Sequence, residues 1–238
     1  MWWRAVLKRR ELMALVVHPD RIYCSRLRPH RSRRLTELIS YRVAELPAGA
    51  IGATCIYNLS LISKIVRSFA GRDARRMSLV VALSDAVATQ KIVAYPHTHP
   101  ELQAGLSLGT NECQWQHCYL YPDNKGKFVF YACGISRGIS LQWQLIAQMA
   151  GMPLEILVGD RMSALALYQA LYGGAFRQSQ LAVHMARTEQ AIEKLFTTDT
   201  LARFLFVPRT VAVDRATALQ PLLTTCGLTL LGSQDEEA

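Results

Sequence analysis

Residues 11–28, ELMALVVHPDRIYCSRLR, predict a β-strand, a tight turn and a second strand. The run LMALVV is continuously apolar, whereas RIYCSRL alternates apolar and polar side chains. His18, Pro19 and Asp20 form the turn between them. A strand–turn–strand of this kind opens many phosphate-binding folds, in which a small glycine-rich turn lets backbone N–H groups reach a phosphate. This turn contains no glycine, so the stretch is either a nucleotide site or the remnant of one that no longer binds a nucleotide.

Strands and helices alternate along the rest of the chain, which favours mixed α/β layers. Asn58 and Asp160 are predicted N-caps of two helices, and Gly71 is a predicted C-cap. Further strands are predicted at 35–43, 77–85, 88–95, 117–122, 127–134, 154–159, 180–186 and 202–209. Helices are predicted at 58–69, 139–150, 160–173, 187–196 and 213–227, the last interrupted by Pro221.

The positive charge is concentrated at the beginning of the chain. The 238 residues carry a net charge of +9, and residues 1–34 hold ten Lys and Arg against two acidic residues. Within residues 1–10, the basic leader, apolar and basic side chains interleave, as in short amphipathic segments that lie at a membrane surface. The alternative is a solvated lead-in to the first strand. The candidate membrane-facing residues are Trp2, Trp3, Arg4, Lys8, Arg9 and Arg10.

The apolar runs and the remaining charge limit the function classes. Half of the residues are apolar, but no run of about 18 apolar residues predicts a membrane span. The first residues lack a signal-peptide pattern, so a cytoplasmic location is expected. Beyond residue 34 the chain is nearly neutral and contains no recognised nucleic-acid motif, which argues against a nucleic-acid partner.

Three kinds of chemical site were considered and none is predicted. His97, His99, Cys113, His117 and Cys118 are close in sequence, but their spacing differs from the short ligand pairs of structural zinc sites. Cys133 ends an apolar strand, and no His or carboxylate can be assigned to orient it as a nucleophile. No P-loop and no G-x-G-x-x-G occurs, and YGGAF at 172–176 is typical of a helix terminator. No cofactor and no metal are expected.

Three stretches carry a resemblance to a known family: SLVVALSDAVATQKIVAYP from residue 78, AGMPLEILVGDRMSALAL at 150–167, and LTELISYRVAELPAGAI at 35–51. Together with the order of elements over residues 12–210, they resemble the PilM family of type IV pilus assembly proteins. That family has relatives among MSHA-type pilus proteins, HofM-like competence proteins and the cytoplasmic domain of GspL. The resemblance implies an actin-like, RNase H-like α/β core with a small inserted α+β subdomain, incomplete relative to the family.

The resemblance also implies a division of the chain into parts. The basic leader is followed by a first part of the core at 11–76 and by the inserted subdomain at 77–153. The chain returns to the core at 154–178, and a partial second core subdomain is expected at 179–238.

Compared with active members of the family, the two phosphate turns of this sequence are degraded. Where the family reads IGIDIGSSSVK, Val16 replaces the aspartate and His18 replaces the first glycine. The second turn is expected near 181–188, where His184 and Met185 replace its Ile-Gly region. The sequence given also ends at Ala238, before the family's adenosine-binding part would be complete. The resemblance therefore implies a pseudo-ATPase frame and no enzymatic activity.

By resemblance, the function expected is that of a non-enzymatic cytoplasmic scaffold in a pilus, secretion or competence machine. Such a protein binds the cytoplasmic tail of a PilN-like inner-membrane protein in a groove between core and insert, and an anionic membrane surface is a second possible partner. Two alternatives remain at this stage: a divergent actin-like ATPase and a basic nucleic-acid-binding module.

Overall fold

The computed structural model describes residues 11–29, 36–96, 113–122, 125–172 and 197–231. Within these residues the chain forms a six-stranded sheet with helices on both faces and a separate three-stranded sheet. This is the mixed α/β class that the alternation of elements predicts. In the described part of the chain, no helix has the length and apolar character needed to cross a bilayer.

The opening stretch forms the centre of the large sheet. Strands β1 (Glu11–Val17), β2 (Arg21–Pro29) and β3 (Thr36–Glu45) make an antiparallel meander, and β1 also pairs in parallel with β4 (Met77–Leu83). From Leu12 to Val17 every side chain of β1 is buried. A continuous apolar run suits this strand because helices cover both faces of the sheet.

Helix α1 (Leu59–Ala70) connects β3 to β4 and is followed by a 3₁₀ turn at Gly71–Arg76. The Asn58 side chain accepts a hydrogen bond from the Leu61 N–H at 3.1 Å, which confirms the predicted N-cap. Gly71 ends the helix with φ 61°, a conformation in which glycine is favoured. Both ends of α1 are therefore fixed by residues that the sequence identifies.

The inserted sheet consists of β5 (Thr89–Tyr95), β6 (Cys113–Pro122) and β7 (Phe128–Ser136), in the antiparallel order β5-β7-β6. The hairpin predicted across residues 123–126 is confirmed by the pairing of β6 with β7. The separate sheet spans only 89–136 and is thus narrower than the predicted insert at 77–153. The difference arises because β4 lies in the large sheet and the helix after β7 packs on α1.

After the insert the chain returns to the large sheet. Helix α2 (Arg137–Ala150) is capped by the Ser136 hydroxyl, which accepts from the Ile139 N–H at 3.1 Å, and it leads to β8 (Leu154–Gly159). Strand β8 pairs in parallel with β4, and helix α3 (Asp160–Tyr172) follows at once. The sheet order is β8-β4-β1-β2-β3-β9 within the described ranges.

The C-terminal part corrects two predictions. The strand predicted at 202–209 is wrong except at Leu205–Phe206, because α4 occupies Thr198–Phe204 and β9 comprises only those two residues. The Thr197 hydroxyl accepts from the Thr200 N–H at 3.1 Å and so starts this helix. The predicted final helix is confirmed as α5 (Arg215–Leu231), but the interruption predicted at Pro221 is wrong, because the helix continues through this residue. The elements predicted at 180–186 and 187–196 lie outside the described residues.

Adjacent residues of β2 show which helices cover each face. The Ser25 hydroxyl lies 3.4 Å from that of Thr225 on α5, whereas Arg26 points to the opposite face and contacts Asp73, just after α1. Helix α5 packs on α3, and α1 packs on α2. The large sheet therefore lies between an α3–α5 layer and an α1–α2 layer.

Candidate functional site

The parallel strands β1, β4 and β8 end at one edge of the large sheet, here called the carboxyl edge. The residues that follow them are His18 after β1, Asp85 shortly after β4, and Asp160 directly after β8. Ligands of open α/β sheets bind outside the carboxyl ends of such strands. This edge is consequently the place where a nucleotide or metal site would be sought first.

The turn between β1 and β2 is a closed hairpin loop. The His18 N–H donates to the Arg21 carbonyl at 2.9 Å, and the Leu46 N–H donates to the Asp20 carbonyl at 2.7 Å. The Arg21 guanidinium bonds the Asp20 carboxylate at 2.8 Å and lowers the pKa of that carboxyl. The His18 ring lies edge-on to Tyr23 with the ring centroids 5.6 Å apart. The backbone donor that starts this turn is therefore engaged within the turn.

Beyond this turn, the carboxyl edge carries a polar network centred on Gln90 of β5. The Gln90 amide N–H₂ donates to Asp85 and, at 2.9 Å, to the Asp160 carboxylate. Its amide oxygen accepts from the Arg161 backbone N–H at 3.2 Å and from the Tyr131 hydroxyl at 3.3 Å. The guanidinium of Arg161 forms an ion pair with Asp85. Five side chains from core and insert thus bond one another across the junction.

The network engages both carboxylates that could hold a metal–nucleotide complex. Asp85 accepts from Arg161 and Gln90, and Asp160 accepts from Gln90 and from the Arg161 backbone N–H at 2.7 Å. Mg²⁺ binds through carboxylate oxygens and retains several waters, so at the bonded oxygens it would have to displace these donors. The arrangement holds the insert to the core and engages both oxygens of Asp85 and one oxygen of Asp160.

Gly159 allows the insert to approach the end of β8. A Cβ at this position would overlap the Gln90 amide, which occupies the space beside the glycine. Any larger residue at 159 would force the Gln90 amide to move from its present position between Asp85 and Asp160.

One face of the inserted sheet covers the edge of β8. Gln90, Cys133 and Gln116 are cross-strand partners and share this face, which we call the inner face. The Gln116 amide donates to the Leu157 carbonyl of β8 at 2.8 Å. A backbone group of an edge strand is thereby bonded by a side chain of the insert, which protects the edge.

Cys133, which was considered as a nucleophile, is fully buried on the inner face. Burial raises the pKa of the Cys133 thiol to about 12, so the thiol is protonated at neutral pH. The neighbouring Tyr131 hydroxyl is also buried, and burial raises its pKa well above the ordinary value. Both residues act in packing and hydrogen bonding at the junction.

The inner face also leaves one large apolar side chain uncovered. Ile92 lies two residues after Gln90 on the same face and opposite Tyr131, yet 43% of its surface is exposed. It belongs to β5, which lies at one edge of the inserted sheet in the part of the chain that the structure describes. The junction therefore combines a polar network with an exposed apolar position on an edge strand.

Of the other residues considered from the sequence, the structure describes Cys113, His117 and Cys118, all on β6. His117 and Cys118 are adjacent on β6, where His117 pairs with Ala132 and Cys118 with Tyr131 of β7. Because successive side chains of a strand alternate, these two point to opposite faces of the sheet. No group of three or more His, Cys, Asp or Glu side chains with metal-binding geometry occurs within the described ranges. Outside those ranges lie His97, His99, the second phosphate turn with His184 and Met185, and the basic leader with Trp2, Trp3, Arg4, Lys8, Arg9 and Arg10.

Sequence reasoning missed the network itself. Asp160 was singled out only as an N-cap, and Asp85, Gln90 and Arg161 were not singled out at all. The sequence signal that could have identified the network is the position of its two carboxylates. Asp85 and Asp160 come just after predicted strands, and the carboxyl ends of parallel strands meet at one edge of a sheet.

Comparisons with known proteins found likeness in structure alone. No family model matches the chain, and no curated protein matches it. A PilM–PilN type IV pilus biogenesis complex has a similar chain, with a TM-score of 0.55 and 12% identity over 68% of this chain. The likeness confirms the predicted fold. The match covers 51% of that chain, so this protein spans about half of the PilM–PilN chain it resembles.

Two further solved structures are similar at lower TM-scores. The cytoplasmic domain of EpsL, an inner-membrane component of the type II secretion system of Vibrio cholerae, has a TM-score of 0.40 and 14% identity, over 64% of this chain and 58% of its own. A Bacteroides thetaiotaomicron VPI-5482 protein with an actin-like ATPase fold and unknown function has a TM-score of 0.42 and 10% identity, over 92% and 96%.

Proposed function

We propose that this protein is a non-enzymatic cytoplasmic scaffold of a type IV pilus or of a related secretion or competence machine. It binds the cytoplasmic tail of a PilN-like inner-membrane protein. The carboxyl edge carries the proposal, because Gln90 and Arg161 bond the two carboxylates, Asp85 and Asp160, that follow its parallel strands and would be the first candidates to hold a metal–nucleotide complex. The fold shared with the PilM–PilN chain supports the choice of machine.

The tail binds at the junction between core and insert. Ile92 offers an apolar contact there, and the edge strand β5 offers backbone groups with which an extended peptide can pair. An apolar side chain in the tail would bury Ile92, while the Gln90 network keeps the two walls of the site together.

The scaffold is peripheral at the inner face of the bacterial inner membrane. The basic leader adds an electrostatic contribution, with Arg4, Lys8, Arg9 and Arg10 beside Trp2 and Trp3. Each basic residue close to an anionic leaflet contributes about 1 kcal/mol. The partner tail and the leader then hold the protein at the same surface.

Co-purification from detergent with the PilN-like protein encoded nearest to this gene tests the proposal, followed by titration with a synthetic peptide of its cytoplasmic tail. We expect a stable complex, and Ile92→Glu should weaken peptide binding at least about tenfold, because a charge would replace a buried apolar contact. Val43→Glu is the matched control, since Val43 is also β-branched, is 47% exposed and lies on β3 of the core. Absence of a complex, or equal effects of the two variants, would overturn the proposal.

A further inference from the structure

Helix α2 has a second apolar side that is largely exposed in the described part of the chain. Its buried side packs on the core through Ile139, Trp143, Ile146, Ala147 and Ala150. On the side away from the sheet, Leu141, Leu145 and Met149 follow one another at four-residue spacing and are 60%, 47% and 56% exposed. Isolated exposed apolar residues are common, but an aligned row on one helix indicates an interaction surface.

The neighbouring helix places basic side chains beside this row. The Ser63 hydroxyl of α1 lies 3.5 Å from the Met149 sulfur. Arg67 follows Ser63 by one turn and so lies on the same side of α1, and the adjacent Lys64 is exposed. The sequences of α1 and α2 contain no Asp or Glu. The apolar row is therefore bordered by positive charge that no acidic residue of these two helices balances.

The basic character continues into the 3₁₀ turn after α1. This turn contains the exposed side chains of Arg72, Arg75 and Arg76, and its acidic residue, Asp73, is paired with Arg26 at 3.1 Å. Arg26 also bonds Glu11 at 2.7 Å, and Glu11 is the residue to which the basic leader is joined. The turn and the attachment point of the leader thus lie together at one end of the sheet.

We propose that this α1–α2 surface, defined by Lys64, Arg67, Arg72, Arg75, Arg76, Leu141, Leu145 and Met149, binds directly to an anionic lipid bilayer. Apolar side chains enter the headgroup region, and the basic side chains remain among the anionic lipid headgroups. Long Lys and Arg side chains suit this position because their aliphatic parts accompany the apolar row.

A bilayer fits this surface better than an acidic peptide does. Leu141 and Leu145 lie on the outer side of α2, opposite the buried Trp143, and only Met149 reaches α1, where its sulfur contacts Ser63. A peptide helix buries its apolar anchors in a groove, whereas a bilayer accepts a protruding row. The inference goes beyond the proposed scaffold function, because it assigns lipid contact to the folded core without a protein partner.

Sedimentation of the purified full chain with phosphatidylcholine vesicles, with and without about one-third phosphatidylglycerol, tests the inference. We expect binding only to the anionic vesicles and a decrease as salt rises. The double variant Lys64→Gln/Arg67→Gln should lower the partition coefficient about thirtyfold. Leu145→Ser/Met149→Ser should lower it about tenfold with an unchanged salt dependence.

Matched controls separate this surface from general charge and from the leader. Arg42→Gln/Arg209→Gln removes two exposed basic residues elsewhere and should leave binding nearly unchanged. Every substituted side chain is exposed or borders solvent, so circular dichroism should show an intact fold. Wild-type behaviour of both surface variants, or loss of binding only on neutralising Lys8, Arg9 and Arg10, would overturn the inference.

Peptide binding, measured on the same proteins, also tests the lipid inference. Binding of an acidic amphipathic peptide together with no vesicle binding would overturn it in favour of a protein ligand. Tail-peptide binding by Leu145→Ser/Met149→Ser should equal that of the wild type, so failure of the lipid proposal and failure of the scaffold proposal are distinguishable.

Discussion

The side-chain amide of Gln90 donates a hydrogen bond to the Asp160 carboxylate at 2.9 Å and thereby joins the inserted sheet to the first turn of α3. The two residues are 70 positions apart in the chain, and one belongs to the insert and the other to the core. The relative position of the two parts therefore depends on an amide that bonds four partners at once.

Removal of this amide should destabilise the protein. We expect Gln90→Ala to lower the free energy of unfolding by about 1–3 kcal/mol, because Asp160 and the Tyr131 hydroxyl lose a partner in a partly buried place. Urea denaturation measures the loss. The exposed Gln220 supplies the control, and Gln220→Ala should change stability by less than about 0.5 kcal/mol. Equal stability of the two variants would show that the network does not hold the junction together.

The close contact of α3 with α5 predicts that a Gly→Ala substitution lowers the free energy of unfolding, which is the opposite of its usual effect in a helix. In a helix interior, Gly→Ala ordinarily stabilises a protein by about 1 kcal/mol. At Gly227 of α5, however, a Cβ would overlap the backbone carbonyl of Ser163 on α3. We expect Gly227→Ala to destabilise the protein by about 1–3 kcal/mol, since the two helices must move apart. Ser60→Ala on the exposed side of α1 is the control, and a stabilised Gly227→Ala variant would mean that the helices are not in close contact.

Three buried thiols should make stability fall at alkaline pH. Burial raises the pKa values of Cys24, Cys133 and Cys226 to about 12 from the ordinary value of 9.0. Above pH 9 the unfolded chain loses these protons while the folded protein keeps them, so the free energy of unfolding decreases as pH rises. Each thiol contributes about 1.4 kcal/mol per pH unit over this range.

Urea unfolding of the wild type at about pH 8 and about pH 10 measures this loss. Cys133→Ala should show a smaller decrease between the two pH values than the wild type, since one buried thiol is absent. An equal decrease in both proteins would show that Cys133 ionises as readily in the folded state as in the unfolded chain.

Chelation should leave the fold unchanged. The group of His97, His99, Cys113, His117 and Cys118 lacks the regular spacing of a structural zinc site, and the adjacent His117 and Cys118 point to opposite faces of β6. We expect the same melting temperature before and after treatment with EDTA. Stoichiometric zinc in protein purified without added metal, together with unfolding on chelation, would contradict this expectation.

The sequence predicts local structure well where one residue determines the conformation. Asn58 begins α1 and Gly71 ends it as the pattern indicates, because capping depends on a side chain or on a positive φ at one position. The apolar run in β1 also identifies a strand between two helical layers. The strand predicted at 202–209 fails over most of its length because residues 202–204 belong to a short helix, which the Thr197 cap starts.

The candidate site is harder to predict from sequence because its residues meet only through long-range pairing. Gln90 reaches Asp160 only because β5 pairs with β7 and the inner face of the insert covers β8. Nothing local marks Gln90, whose neighbours in sequence resemble any half-exposed strand. By contrast, the replacement of a glycine by His18 is visible in the sequence, since the backbone of a phosphate turn requires small residues.

The final prediction concerns nucleotide binding. Val16 lies buried within β1 at the position where the family has an aspartate, and the His18 N–H bonds the Arg21 carbonyl. Asp85 and Asp160 are already bonded by Arg161 and Gln90. We therefore expect calorimetric titration with ATP and magnesium to show no binding tighter than about 1 mM, and no rise in melting temperature. The variant Gln90→Ala distinguishes the closed β1–β2 turn from the Gln90 network as the cause of this lack of binding. It frees Asp160 from the amide but leaves the turn closed, so ATP should still fail to bind. Micromolar binding by the wild type would refute the scaffold interpretation and favour a divergent ATPase, whereas binding by Gln90→Ala alone would show that the network, and not the turn, excludes the nucleotide.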